Sequence, residues 1–107
     1  MATSKDFIAY ILDQIGDESR TRVRAMFGEY ALYFDDVVVA LVCDSTVFLK
    51  INEYTTKILG SAYPKGPAYP NAKDWYILDA EIIENPTLFK EALVSCAEYI
   101  HLYKKKK

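Results

Sequence analysis

One histidine and two cysteines are all that this 107-residue chain offers as imidazole or thiolate ligands to a metal. His101 has no second histidine with which to share a tetrahedral site. Cys43 and Cys96 lie far apart, without the Cys-x-x-Cys spacing of a zinc or redox pair. No metal centre is expected. The same scarcity bears on nucleophilic catalysis, because neither cysteine sits in a local activating motif and any nucleophile–base pair would depend on His101 alone. The four glycines, Gly16, Gly28, Gly60 and Gly66, are isolated from one another, so no phosphate-cradling loop is expected. Asp35 and Asp36 are adjacent carboxylates, but such neighbours in a turn are solvated punctuation. These shortages predict a protein that is not an enzyme and holds no cofactor.

Long apolar runs are missing too. No stretch approaches the ~18 residues of a membrane span, and the opening MATSKDF lacks the hydrophobic region of a signal peptide. A soluble, cytoplasmic protein without a membrane partner is expected. Cys43 lies in an apolar run and Cys96 in a helical stretch, so both are read as small core residues in a reducing compartment.

What the chain does have is a globular composition, 51% hydrophobic and 26% charged, which excludes wholesale disorder. At this length one domain over residues 1–107 is expected, burying roughly two-thirds of its unfolded surface. The formal net charge is -2. Four of the 13 basic residues form the tail Lys104 to Lys107; without them nine basic residues face 15 acidic ones, a net of -6. An acidic body lacks the broad basic face of a duplex-binding module.

Periodicity supplies the elements. Thr3 and Asp6 have capping-box spacing ahead of a stripe at Phe7, Ile8, Ile11, Leu12 and Ile15, and Gly16 is a natural stop; a helix over 4–15 follows. β-Branched and aromatic residues then predict a meander of three strands, about 24–34, 37–43 and 46–51, turning at Asp35-Asp36 and Asp44-Ser45. Asp-Asp is a poor match to the positive φ of a type I′ turn, so a loose turn is expected there. A short helix at 53–59, an irregular Pro- and Tyr-rich loop at 60–75 with a strand near Ala68 and Tyr69, and a closing strand at 75–78 come next. Asn85 and Pro86 start a final helix over 86–103.

With two-residue turns and unbroken alternation, one sheet face would carry Tyr30, Leu32, Phe34, Val37, Val39, Leu41 and Phe48. The other would carry Ala31, Tyr33, Val38, Ala40, Val42, Val47, Leu49 and Ile51. Both are apolar, where an antiparallel sheet commonly has one polar face. Helices are expected against the alanine-bearing face, and the bulkier face needs another cover.

Within RAMFGEYALYF, residues 24–34, Gly28 reads as a β-bulge that lets Phe27 and Tyr30 share a face and turns Glu29 to solvent. Arg20, Arg22 and Arg24 alternate at period two and would line one side of an extended chain. They form either a solvated strand entrance or a small anion-contact site without base specificity.

The stretch RAMFGEYALYFDDVVVALVCDSTVFLKIN resembles the signature of the TfoX (Sxy) N-terminal domain family. The matching residues are Arg24, Met26, Phe27, Gly28, Tyr30, Leu32, Tyr33, Asp35, Leu49 and Lys50. PAYPNAKDWYILDAEIIENPTLFKEAL is more loosely similar to the family's later segments. Ala31 and Asp36 depart from positions where the family often has glycine, and Trp75 stands near an expected methionine. The resemblance implies an α+β domain of order α-β-β-β-α-β-β-α, an antiparallel sheet packed by helices, similar to the secretion-chaperone-like class. It implies as well a link to regulation of bacterial competence, and it supplies no catalytic residues or cofactor.

The expected function is therefore a non-enzymatic protein-interaction or regulatory domain, self-associating as a homodimer or binding a regulatory protein. Its candidate surface comprises Arg20, Arg22, Arg24, Tyr30, Leu32, Phe34, Val39, Leu41 and Phe48. Met26, Phe27, Gly28, Tyr33 and Asp35 serve as structural motif residues. The alternative is a weak nucleic-acid-binding accessory using the arginines and the tail, with no sequence-specific DNA binding by the chain alone.

Overall fold

A computed structural model of the chain describes residues 3–26 and 29–103. The first helix, α1 (Lys5–Ile15), is capped by Ser4, whose hydroxyl accepts from the Phe7 N–H at 3.1 Å. The cap thus falls one residue after the expected Thr3. Ile8, Ile11 and Ile15 form the buried stripe, and Gly16 ends the helix at a φ of 71°.

Four strands follow as a meander: β1 (Thr21–Met26), β2 (Glu29–Phe34), β3 (Val37–Cys43) and β4 (Thr46–Leu49). The expected single strand over 24–34 is two antiparallel strands, with Met26 opposite Glu29. Alternation along RAMFGEYALYF continues on both sides of the reversal, so the apolar pattern alone did not disclose it. The bulge assigned to Gly28, and the face assigned to Phe27, fall on residues outside those described.

Both later turns have the expected register, Phe34 opposite Val37 and Cys43 opposite Thr46. Asp35 and Asp36 take φ values of 53° and 69°, and Asp44 and Ser45 take 53° and 56°. These are tight turns with positive φ at both central residues, whose twist suits the hairpin. The loose turn expected at Asp35-Asp36 is not found, because aspartate tolerates the left-handed region better than most non-glycine residues.

Helix α2 (Glu53–Leu59) is held by a capping box between Asn52 and Thr55. Strands β5 (Lys65–Pro67) and β6 (Asp74–Leu78) complete a six-stranded antiparallel sheet of order β1-β2-β3-β4-β6-β5. A short helix, α3 (Ala80–Ile83), precedes α4 (Pro86–Tyr103). The α+β class with an antiparallel sheet is as read from the sequence; the meander is one strand longer and α3 is an addition.

One irregularity decides which residues the helices cover. Leu32 lies opposite Ala40, whereas Tyr33 lies opposite Val38, so Val39 is an extra residue in β3. Its carbonyl still accepts from the Lys50 N–H at 3.0 Å. The bulge reverses the parity of β3 midway, which places Val37, Val39, Ala40 and Val42 in the same core. That core also holds Leu32, Phe34, Val47, Leu49, Tyr76 and Leu78 from the sheet, with Ile11 from α1, Ile82 from α3, and Phe89, Leu93, Cys96 and Ile100 from α4. Leu32, Phe34 and Val39, expected on a contact surface, are therefore fully buried beneath the helices. Leu41 and Phe48, expected beside them, pack on the opposite side of the sheet.

Cys96 lies in this core and burial pushes its thiol up to about 12, which leaves almost no thiolate at neutral pH. In the native protein Cys96 is expected to resist a thiol reagent until the chain unfolds, while half-buried Cys43 reacts first. Peptide mapping after brief labelling checks the order. The turn yields a second expectation. Asp36→Gly should raise stability by about 0.5 kcal/mol, since relief of left-handed strain outweighs the added unfolded-state entropy. Its ion pair with Arg22 joins side chains 65% and 84% exposed and contributes little. Denaturant melts of the two proteins measure the difference.

Candidate functional site: the open face of the sheet

The face turned away from the helices is built by the strand registers. Arg22, Arg24 and Met26 of β1 lie opposite Tyr33, Ala31 and Glu29 of β2. Ala31 in turn lies opposite Leu41, Leu41 opposite Phe48, and Phe48 opposite Ile77. Ala31, Leu41 and Trp75 form a second buried cluster, with Tyr33, Val38, Cys43, Phe48 and Ala68 packed around it. Its members come from strands and from the segment following β5, whereas the principal core draws on the helices. Cys43 and Cys96 therefore belong to different cores, on opposite sides of the sheet.

A cleft of about 650 Å³ opens on this face. Val38, Leu41, Cys43 and Trp75 contribute from β3 and β6; Met26, Glu29 and Tyr30 border it at the β1–β2 end, and Tyr69, Lys73 and Lys50 contribute the rest. Trp75 is only 7% exposed, yet its indole N–H has no acceptor among the described residues. A buried donor without a partner is costly and uncommon. Lys50, Lys73 and Trp75 also border a neighbouring cleft of about 410 Å³ that extends toward Tyr99 and Ile100.

Glu29, expected to turn to solvent, is instead engaged. Its Oε1 accepts from the Thr3 N–H at 3.0 Å and from the Thr3 hydroxyl at 2.6 Å, and Thr3 Oγ1 accepts from the Ser45 N–H at 3.0 Å. Burial pushes the Glu29 carboxyl up, but the bonds from Thr3 and from the Asp44 backbone outweigh it and hold the group below its ordinary value. This carboxylate ties the residues preceding α1 to the β3–β4 turn.

The three arginines do not form one site. Arg20 donates to Asp35 through Nε at 2.8 Å and through a terminal nitrogen at 2.7 Å, and its guanidinium lies 4.7 Å from the centre of the Phe34 ring. Asp35 is held below the ordinary carboxylate range chiefly by this bidentate bond. Asp17 bridges Arg20 to Lys90 of α4, at 3.9 and 3.0 Å. His101 Nε2 lies 2.8 Å from the Asp35 carbonyl oxygen. Arg20, Asp35 and His101 thus fasten α4 to the edge of the sheet. Arg22 pairs with Asp36 at 3.1 Å and stacks 5.5 Å from the Tyr33 ring, with exposed Arg24 two residues on.

Of the residues read from the sequence as a surface, Arg22, Arg24, Leu41 and Phe48 are brought together on the open face, and Tyr30 stands at its margin between core and cleft. The structural motif residues divide similarly. Met26 borders the cleft, Tyr33 packs on the open face, Asp35 binds Arg20, and Phe27 and Gly28 lie outside the described residues. Sequence reading missed Trp75, Tyr69, Lys73 and Lys50 as cleft residues. The only signal was a solitary tryptophan closing a Pro- and Tyr-rich loop.

Residues 13–99 match the model of the TfoX N-terminal domain family. The chain belongs to this family. The match spans the meander, the larger cleft and most of α4. The chain is also similar to a protein of Spirochaeta aurantia described as an uncharacterized 12.7 kDa protein in the trpE 5′ region. The two are 38% identical over 94 residues, which cover 87% of this chain and 79% of the relative.

The Thr3–Glu29 contact gives a pH-dependent expectation. A carboxylate whose folded pKa is lowered contributes stability above its unfolded value, and that contribution is lost as pH falls through the folded one. Thr3→Val removes the hydroxyl that donates to Glu29 and accepts from the Ser45 N–H, and should cost about 2 kcal/mol at pH ~7. Below the ordinary glutamate value of about 4.3 the gap between the two proteins should narrow. Thermal melts of both proteins at neutral and acid pH test this.

Proposed function

We propose that this domain is a non-enzymatic interaction module of the kind found in bacterial competence co-regulators, and that its open sheet face is the contact surface. The observation that carries this reading is the one-sided helix layer. α4 and its neighbours cover one apolar face, while Tyr33, Val38, Phe48 and the second cluster remain on the other. Tyr33, Val38 and Phe48 are half-buried in the single chain and exposed Met26 and Tyr69 border the cleft beside them, so a partner would complete their cover. A second copy of the chain is the simplest occupant, because a two-fold axis sets the same patch of two chains against each other. Family membership supports the regulatory context.

A nucleic-acid role draws less support. Arg20 is committed to Asp35 and Asp17, and Arg22 is paired with Asp36. Without its Lys104 to Lys107 tail the chain carries a net charge of -6, which opposes approach to a duplex, and phosphate binding by the remaining cations fades with salt.

Light scattering at about 100 μM, where a dimer of micromolar Kd is largely assembled, should give the mass of two chains. Phe48→Lys, placing a charge at the centre of the open face, should give one chain with the fold retained by circular dichroism. A monomeric parent protein at that concentration would overturn the self-association. Fluorescence anisotropy with a promoter duplex and a scrambled duplex should show equal, salt-labile binding or none. Tight binding that prefers the promoter at physiological salt would favour the nucleic-acid reading instead.

A further inference from the structure

We infer that β1 accepts an extended segment of a partner protein as an added strand, and that the segment carries one acidic side chain opposite Arg24. The site is the edge of the sheet rather than its open face, so it does not depend on self-association through that face.

β1 ends the sheet order, and no described strand lies beyond it. Its pairing with β2 runs unbroken from Thr21 opposite Phe34 to Met26 opposite Glu29, with no proline and no bulge. The Asp35 N–H donates to the Arg20 carbonyl at 2.9 Å, which makes these two a hydrogen-bonded pair. Bonding alternates along an antiparallel ladder, so Arg22, Arg24 and Met26 also direct their backbone groups toward β2. Thr21, Val23 and Ala25 direct theirs outward. Thr21 is buried beside the Asp17 carbonyl, whereas Val23 is half-buried and Ala25 exposed. A row of outward N–H and C=O groups is a template for another chain, to which main-chain bonds give affinity and side-chain pockets give specificity.

The side chains select the occupant. Arg22 and Arg24 lie opposite Tyr33 and Ala31, on the open face. With Val23 and Tyr33 they line a hollow of about 240 Å³ that can seat a carboxylate. Arg22 is paired with Asp36, but Arg24 has no ion pair or hydrogen bond among the described residues. The negative charges nearby narrow the choice. Glu18 precedes β1 and Glu29 lies opposite its last residue, so both oppose acids at the ends of the strand. The chain without its lysine tail has nine basic against 15 acidic residues, which opposes a polyacidic segment. A single acid opposite Arg24 meets these constraints, and Met26, 39% exposed, offers apolar contact two residues on.

A second copy of β1 fits this edge poorly. Antiparallel pairing centred on Val23 sets Arg22 of one chain against Arg24 of the other, and centring on Arg22 or Arg24 sets each against itself. Like charges directly opposite destabilise a strand pair. Centring on Ala25 leaves only residues 24–26 of each strand paired.

Hydrogen exchange on the full chain reads this edge directly. The probe is an eight-residue peptide of alternating valine and threonine with one central glutamate, and its control carries lysine there. In the free protein the Val23 and Ala25 amides should exchange faster than those of Arg22 and Arg24. Saturating glutamate peptide should slow both about tenfold, and it should bind roughly fivefold more tightly than the lysine peptide. Arg24→Glu should reverse that order. Ala25→Pro removes one outward N–H, which an edge strand tolerates, and should abolish the protection of Val23 with little change in thermal melting. The proposal is overturned if neither peptide protects these amides, if the lysine peptide binds as tightly, or if Arg24→Glu leaves the order unchanged. Protection in the free protein that disappears on dilution would assign the edge to a second copy and overturn it likewise.

Discussion

The packing of α4 across the middle of the sheet is the interaction on which the rest of this domain depends. Phe89, Leu93 and Cys96 are fully buried along one stripe of the helix, against a floor that includes Leu32, Phe34, Val39 and Val42. Each large side chain so buried contributes on the order of 1.5–3 kcal/mol, far more than any exposed ion pair. α1, α2 and α3 all reach α4, and α1 and α3 add their isoleucines to the same core. The polar contacts near its two ends, Lys90 with Asp17 and His101 with the Asp35 carbonyl, orient a helix already held by burial.

That packing is possible because β3 gives up one residue of its pairing. The bulge at Val39 turns two consecutive residues, Val39 and Ala40, inward. Without it the strand would alternate strictly, and either Val42 or Val37 would leave the helix side. The same shift sends Leu41 and Cys43 outward, where they join Ala31, Tyr33, Phe48 and Trp75. The apolar character of the open face and the packing of the principal core therefore have one geometric origin.

The polar residues near this face follow the same economy. Glu29 binds Thr3 and Arg20 binds Asp35, so each carries out a local fastening role. Lys50, Lys73 and the buried Trp75 indole border the apolar cleft.

Much of this was written locally. The stripe from Ile8 to Ile15, the Gly16 stop, the Asn85-Pro86 start and the two-residue turns at Asp35 and Asp44 follow from periodicity and backbone chemistry that a few neighbouring residues decide. The two-sided apolar character of the sheet was legible for the same reason. What stayed hidden was where alternation breaks. The reversal between Met26 and Glu29 interrupts no apolar pattern, and the bulge at Val39 sits inside VVVALVC, where every residue is apolar and either parity reads equally well. A one-residue slip moves a strand's side chains to the other face, so Leu32, Phe34 and Val39 were read as surface although tertiary packing buries them. Nor does local chemistry bring Trp75, Lys73, Tyr69 and Met26 to one cleft, since they meet only when β6 pairs with β4 and β5 and the sheet closes in its own order. Sequence by itself determined the elements and their apolar faces, because those depend on near neighbours. Tertiary structure alone decided which face the helices took and where the cleft formed, because those depend on burying the larger apolar area under α4.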